Sequence, residues 1–215
     1  MSHTLHRSGD RQSLAGDWVV LAMTASGINR AGSAPRLRRF LELAFRHNPV
    51  NLGDIRTGST FSQTRKRLLE AITDGTVLHA VFSSTRDVAS FLTDLKAEDL
   101  GISIVVSGLL DTCRRIAART GLKPHTVAVS LGIWGRTETL PGPSLLEVTS
   151  MCGHGMIPVR LVEKLAEEVA SGALGAREAA ARLARPCVCG IFNPRRAAAL
   201  VRVMARRTAA RSPRS

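Results

Sequence analysis

Tyrosine is absent from this sequence of 215 residues, and only 4% of the residues are aromatic. Proteins that bind single-stranded nucleic acid without sequence preference stack the bases on aromatic side chains, so the composition argues against that mode of binding. No apolar run approaches the roughly 18 residues of a membrane-spanning helix, and the polar segment 1–16 lacks the apolar core of a signal peptide. We therefore expect a cytoplasmic protein that does not cross a membrane.

Several widespread enzyme motifs are also missing. The chain has no GxxxxGKS/T loop, no GxGxxG after a predicted strand, no HExxH and no GxSxG. These absences argue against a P-loop nucleotide hydrolase, an ordinary dinucleotide enzyme, a zinc protease of the HExxH type and an α/β-hydrolase.

Acidic residues are few, at 17 against 30 basic residues, so the chain carries a formal net charge of +13. Much of this excess lies at the end of the chain, where no acid accompanies Arg195, Arg196, Arg202, Arg206, Arg207, Arg211 and Arg214. The rest of the chain carries only +6 once these arginines are left out. We interpret residues 203–215 as a solvated basic tail, with phosphate contacts to nucleic acid as a less favoured alternative.

Short apolar runs alternate with segments of helical spacing. The runs predict strands at 17–23, 76–82, 102–106 and 126–131, and residues 145–149 form a possible fifth strand or a helix end. Asn193 and Pro194 form an N-cap and first-turn pair that predicts the start of the last helix. Because strands that alternate with helices usually form parallel sheets, we predict an α/β fold with a mostly parallel sheet of about 4–5 strands and helices on both faces. A single domain would span residues 17–202, after a disordered N-terminal tail at 1–16.

The four cysteines stand beside predicted strand and helix ends. Cys113 follows the third predicted strand, and Cys152 follows the fifth candidate strand in the segment 151–155 (MCGHG). Cys187 and Cys189 precede the last helix in the segment 187–190 (CVCG). Ligands of parallel α/β sheets bind where the loops gather at the carboxyl ends of the strands. We therefore expect the four thiols to converge at one edge of the sheet.

Converging cysteines in a reducing compartment are more typical of a metal centre than of disulfides. Thiolates favour iron–sulfur clusters and zinc. The leading expectation is an iron–sulfur cluster with Cys113, Cys152, Cys187 and Cys189 as its four ligands, or with three of them and one iron open for substrate. The alternative is a tetrahedral zinc ion held by Cys152, His154, Cys187 and Cys189.

Loops at the same predicted edge carry side chains suited to an anionic substrate. These side chains are Asn29, Arg30, Ser84, Arg86, Trp134 and Arg136. Because guanidinium groups bind carboxylates and phosphates through paired hydrogen bonds, three arginines on one rim predict an anion-binding mouth.

The segment 151–155 (MCGHG) resembles the segment that holds one catalytic cysteine of the proline racemase family, and Cys189 with Gly190 echoes part of that family's second segment, a Pro-Cys-Gly core. The resemblance implies that Cys152 acts as an acid or base on one face of an α-carbon, opposite a second cysteine. It covers about five residues and describes a chemical environment. Independently, backbone N–H groups and a helix dipole lower the pKa of a cysteine in a glycine turn before a helix.

The leading hypothesis is an enzyme of lyase or isomerase type, in which Cys152 and His154 act at a cysteine-ligated metal centre on a small anionic substrate. A metal-free enzyme that uses Cys152 as an acid, base or nucleophile is the first alternative. A zinc-stabilised protein that binds nucleic acid or has a regulatory role is the second. The sequence indicates neither the identity of the substrate nor the oligomeric state.

Overall fold

The computed structural model of the chain describes residues 7–211, which form a five-stranded sheet with helices packed against it. The strands are β1 (Trp18–Met23), β2 (Asn51–Asp54), β3 (Gly58–Ser59), β4 (Leu78–Phe82) and β5 (Ser103–Ser107). The helices are α1 (Arg11–Leu14), α2 (Ala34–Ala44), α3 (Arg65–Glu70), α4 (Thr85–Glu98), α5 (Leu110–Thr120), α6 (Pro143–Thr149), α7 (Val159–Ala170), α8 (Ala176–Ala184) and α9 (Pro194–Arg211). A 3-10 turn at Thr137–Thr139 precedes α6.

Every pair of neighbouring strands in this sheet is antiparallel. The strand order is β3-β2-β4-β1-β5, with β1 hydrogen-bonded to both β4 and β5. The register places Trp18 opposite Phe82 and Met23 opposite Ser103. The prediction of a mostly parallel sheet is therefore wrong.

The connections between strands explain why the sequence pattern misleads. β1 leads through α2 to β2, and β4 leads through α4 to β5, so each pair is a βαβ crossover. The two strands of each pair run in the same direction, but a strand of opposite direction lies between them. This is the split βαβ arrangement of ferredoxin-like folds, in which strands that alternate with helices still form an antiparallel sheet.

Side chains of the central strands enter two separate cores, because successive residues of a strand point to opposite faces of the sheet. Val19 and Leu21 of β1 join the core beneath α6, α7, α8 and α9. Trp18, Val20 and Ala22 join the core beneath α2, α4 and α5. The sheet thus separates a C-terminal layer, which comprises α6 to α9, from an N-terminal layer, which comprises α2, α4 and α5.

One further strand prediction is wrong. Residues 126–131 form no strand, and Val127, Val129 and Leu131 are exposed. Apolar alternation is not enough there, because a strand also needs a neighbour that satisfies its backbone hydrogen bonds. The candidate strand or helix end at 145–149 lies in helix α6. Strands β2 and β3, which were not predicted, form a short hairpin at the sheet edge.

Both segments that we expected to be tails carry helical structure where the structure describes them. Helix α1 lies within the segment 1–16, and Asp10 caps it by accepting a hydrogen bond from Ser13 N. Helix α9 continues past residue 202 as far as Arg211. Residues 1–6 and 212–215 lie outside the described residues. Within the described range, no helix is both long and apolar enough to cross a membrane.

Candidate functional site

The turn that carries Cys152 connects α6 with α7. Cys152 N donates a hydrogen bond to Thr149 O at 3.2 Å, and Gly155 N donates to Cys152 O at 2.9 Å. Gly155 has a φ angle of +66°, a left-handed conformation that glycine adopts without steric cost. The turn buries Cys152 in the core of the C-terminal layer and leaves residues 153–156 exposed.

The turn that carries Cys187 and Cys189 connects α8 with α9. Gly190 N donates to Cys187 O at 2.9 Å, and the φ angle of Gly190 is +70°. A Cβ atom at Gly190 would lie 2.5 Å from the Cβ atom of Ser59, so this close approach to the β2–β3 hairpin requires glycine. The side-chain amide of Asn51 donates to the carbonyl oxygen of Gly190. The hairpin therefore supports the turn.

Cys187 interacts with both of the other cysteines in these two turns. Its Sγ atom lies 3.8 Å from Cys189 Sγ, and interaction between the Cys187 and Cys152 thiols shifts the pKa of both. Their residues are 2% (Cys152), 4% (Cys187) and 5% (Cys189) exposed, so bulk water has little access to the sulfur atoms. We call this set the thiol cluster, and Cys187 is its central member.

Protons are shared unequally within the thiol cluster. Hydrogen bonds from Cys187 lower the pKa of Cys152 and the pKa of Cys189. The same contacts raise the pKa of Cys187, because negative charge on a neighbouring sulfur atom opposes the loss of its proton. Backbone hydrogen bonds from Met156 and His154 lower the pKa of Cys152 further. Cys187 is therefore the member of the thiol cluster that loses its proton last.

His154 adds an imidazole to the thiol cluster. Its side chain lies close enough to Cys189 to lower the pKa of that thiol, and its electrostatic effect also lowers the pKa of Cys152. Unlike the cysteines, His154 is exposed. Three thiols and one imidazole therefore meet at two neighbouring turns, and both donor types bind zinc.

No known protein family, curated protein or solved structure matches the chain. Within residues 7–211, no group of three or more His, Cys, Asp or Glu side chains is arranged, as it stands, to hold a metal ion. The thiols are hydrogen-bonded to one another, so a metal ion would have to displace the proton that they share. The site is a set of donor groups in contact rather than a preformed cage.

A buried ion network lies beside the thiol cluster. Asp17, which directly precedes β1, forms ion pairs with Arg7 and Arg196, and the pair with Arg196 measures 2.9 Å. The side chains of Asp17, Arg7 and Arg196 are 0%, 6% and 3% exposed. Asn193 donates to Asp17 at 3.1 Å and accepts from Arg196 N at 3.0 Å, which confirms its predicted position as the N-cap of α9.

Arg7 links the two cysteine turns. Its guanidinium group donates to Met151 O at 3.5 Å and to Ile191 O at 3.1 Å. Met151 directly precedes Cys152, and Ile191 lies two residues after Cys189. Because Asp17 holds the same guanidinium group, the position of one turn relative to the other depends on this buried ion pair.

The structure does not bring Cys113 to the other three cysteines. Cys113 lies in α5 and packs against the core of the N-terminal layer, whereas the thiol cluster belongs to the core of the C-terminal layer. The sheet lies between them, so the four thiols do not share one edge. Burial raises the pKa of Cys113 to about 11, which keeps this thiol protonated at neutral pH.

The six loop residues expected around an anionic substrate do not gather either. Because β1 and β4 are antiparallel, their carboxyl ends lie at opposite ends of the sheet. The loop that carries Asn29 and Arg30 is therefore separated from Ser84 and Arg86. Asn29 has a structural role, because its side chain bonds Ala25 N and the carbonyl oxygen of residue 101.

The remaining loop residues also make local contacts. Ser84 caps α4 by accepting a hydrogen bond from Asp87 N. Trp134 is 82% exposed, and Arg136 pairs with Glu138 in the same exposed loop. Of the predicted site residues, the structure therefore brings together Cys152, His154, Cys187 and Cys189.

The buried ion network was not predictable from the charge pattern of the sequence. Arg7 lies in a polar segment and Arg196 in an arginine-rich helix, and both patterns indicate solvated charges. The signal that identifies the network is Asp17, an acid that directly precedes an apolar buried strand. A carboxylate at such a position is costly to bury unless a cation pairs with it.

Proposed function

We propose that the protein is a zinc-binding protein, in which Cys152, Cys187, Cys189 and His154 hold one structural zinc ion that fixes the C-terminal layer. The observation that carries the proposal is the 3.8 Å separation of Cys187 Sγ and Cys189 Sγ. Two thiolates bound to one tetrahedral zinc ion at roughly 2.3 Å each lie about 3.8 Å apart.

The same separation favours a single ion over the iron–sulfur cluster. The cysteine ligands of a [4Fe–4S] cluster bind different iron atoms, so their sulfur atoms lie farther apart than two ligands of one ion. Cys113, which would complete a set of four thiolates, lies on the other side of the sheet. The thiol cluster and His154 match the three cysteines and one histidine of common structural zinc sites.

Burial supports a structural role for the ion. The three cysteines are at most 5% exposed, and four protein ligands leave no coordination position for substrate. An ion there would join the α6–α7 turn to the α8–α9 turn. It would replace the shared proton of Cys187, and a reducing compartment such as the cytoplasm would keep the thiols available.

Metal analysis tests the proposal. Protein purified under reducing conditions, or refolded with zinc, is expected to contain about one zinc ion per chain and to release it to a strong chelator. Elemental analysis together with a sulfide assay measures this. Iron with acid-labile sulfide would instead support the cluster, and a protein that takes up no metal after reconstitution with either would contradict any metal centre.

A second candidate function is metal-free acid–base chemistry at Cys152, of isomerase type on a small anionic substrate. It is favoured by the interactions that lower the pKa of Cys152, which are those with the Cys187 thiol, with two backbone N–H groups and with the nearby His154. In metal-free, reduced protein we expect the rate at which iodoacetamide alkylates Cys152 to stay constant between about pH 7 and pH 9, and the rate at Cys113 to rise with pH, because the thiolate is the reactive form. Peptide mass spectrometry measures both rates, and the comparison of pH dependence removes the effect of the deeper burial of Cys152. A rate at Cys152 that rises with pH as steeply as the rate at Cys113 would argue against a reactive thiolate.

A further inference from the structure

A second site lies on the other side of the sheet from the thiol cluster. A groove of about 690 Å³ runs between α4 and α5 and is bounded at one end by α1. Its apolar lining includes Trp18, Ala89, Leu109 and Ile116. The residues Thr85, Ser90, Thr93 and Thr112, which carry hydroxyl groups, line the same groove. Binding sites for small organic ligands combine such an apolar lining with a few polar groups, in volumes of roughly 300–1,000 Å³.

Positive charge surrounds the groove. It is lined by four arginines: Arg11, Arg86, Arg115 and Arg119. Asp111 is the acid that meets these arginines, and it accepts hydrogen bonds from Arg11 and Arg115. Four cations around one carboxylate leave an excess of positive charge that an anionic ligand would neutralise.

Two of the four arginines have no polar partner for their side chains among residues 7–211. In the described part of the chain, neither Arg86 nor Arg119 forms an ion pair or a side-chain hydrogen bond. Arg86 lies in the first turn of α4, and Arg119 lies in the last turn of α5. Their guanidinium groups are therefore available to a ligand that lies along the groove.

We propose that this groove binds a phosphorylated small molecule of nucleotide size. Guanidinium groups bind phosphate oxygens through charge-assisted, often paired hydrogen bonds, which accounts for Arg86 and Arg119. The apolar lining accommodates a base or another apolar group, and the hydroxyl groups can bond a sugar. This site does not depend on the zinc ion, because the sheet separates the groove from the thiol cluster.

Titration with ADP tests the proposal. The protein contains two tryptophans, and Trp134 is in an exposed loop, so the Trp134→Phe variant leaves Trp18 in the groove lining as the fluorescent reporter. We expect saturable binding of ADP by calorimetry, accompanied by a change in Trp18 fluorescence. Inorganic pyrophosphate, which lacks the apolar part, is expected to bind at least tenfold more weakly.

Substitution of the arginines identifies the site. Arg86→Ala and Arg119→Ala are each expected to weaken ADP binding roughly tenfold or more, since each removes a charge-assisted contact. Arg160→Ala is the matched control, because Arg160 is an exposed arginine of α7 on the opposite side of the sheet. Circular dichroism and thermal unfolding show whether each variant is folded.

Three outcomes would overturn the proposal. The first is the absence of saturable ADP binding at millimolar concentration. The second is an equal loss of affinity in the Arg160→Ala control, which would indicate general charge attraction. The third is tighter binding of a single-stranded oligonucleotide than of ADP through the same arginines, which would indicate a nucleic-acid surface.

Discussion

The Asp17→Ala variant is expected to lose about 3–5 kcal/mol of the free energy of unfolding, because it leaves buried Arg7 without a counter-ion and leaves buried Arg196 with Glu147 as its remaining acidic partner. Asp17 is fully buried, and its partners Arg7 and Arg196 are nearly so. Removal of one member of a buried ion network costs far more than the pair contributes to stability, since the remaining charges stay desolvated. Urea unfolding followed by circular dichroism measures the loss.

Asp111→Ala provides a matched control for this variant. Asp111 also contacts two arginines, Arg11 and Arg115, but all three side chains are 43–68% exposed. Water screens exposed ion pairs, so the loss of stability should be much smaller than for Asp17→Ala. Similar losses in the two variants would show that burial of the Asp17 network has no special importance.

The Asp17 network also connects stability with the thiol cluster. Arg7 is held by Asp17 and donates to the carbonyl oxygens of Met151 and Ile191, which lie beside the two cysteine turns. Loss of Asp17 should therefore weaken zinc binding in whatever fraction of the variant remains folded. The network positions the donor groups, although none of its members contacts the proposed ion.

Individual strands and helix starts were predictable from the sequence where a single local pattern of residues determines them. Apolar runs indicated β1, β4 and β5, and Asn193 with Pro194 indicated the start of α9. Strand direction was not predictable in this way, because a split βαβ unit and a parallel βαβ unit have the same alternation of elements. The two kinds of unit differ here in strand β2, which precedes β4 along the chain. It was not predicted, because its residues Asn51–Asp54 include glycine and polar side chains and do not form an apolar run.

The candidate site was predictable only in part, because the positions of some of its expected residues depend on strand direction. The turns around Cys152 and Cys187 lie next to each other because α6 to α9 cover one face of the sheet, whereas the sequence analysis expected them to meet at the carboxyl ends of parallel strands. The position of Cys113 and of the arginine loops depended on strand direction, which the pattern does not determine. The groove between α4 and α5 was not predicted for the same reason. Whether two helices lie side by side on one face of the sheet depends on the order and direction of the strands.

The Cys187→Ser variant is expected to lose zinc affinity by a factor on the order of 100 or more. Removal of a residue that merely orients a ligand costs about 10–100-fold, so loss of a thiolate ligand should cost at least the upper value. Cys187 is the central thiol, in contact with both Cys152 and Cys189. Competition with a chromophoric chelator measures the affinity.

Cys113→Ser is the control, because Cys113 is also a partly buried thiol but packs on the opposite side of the sheet. Its zinc affinity should equal that of the unaltered protein. A loss of metal in Cys113→Ser, or a Cys187→Ser variant that keeps its affinity, would contradict the proposed ligand set.

Thermal unfolding of the same two variants separates metal binding from packing. Each hundredfold loss of affinity removes about 2.7 kcal/mol of stabilisation when free zinc is in excess of the dissociation constant. The unaltered protein should therefore be stabilised by zinc and destabilised by a chelator, whereas Cys187→Ser should respond weakly to either. If Cys187 acted only through packing, its substitution would destabilise the metal-free and zinc-loaded proteins equally. The difference between those two conditions therefore decides whether the thiol cluster is a metal site or a buried set of hydrogen-bonded thiols.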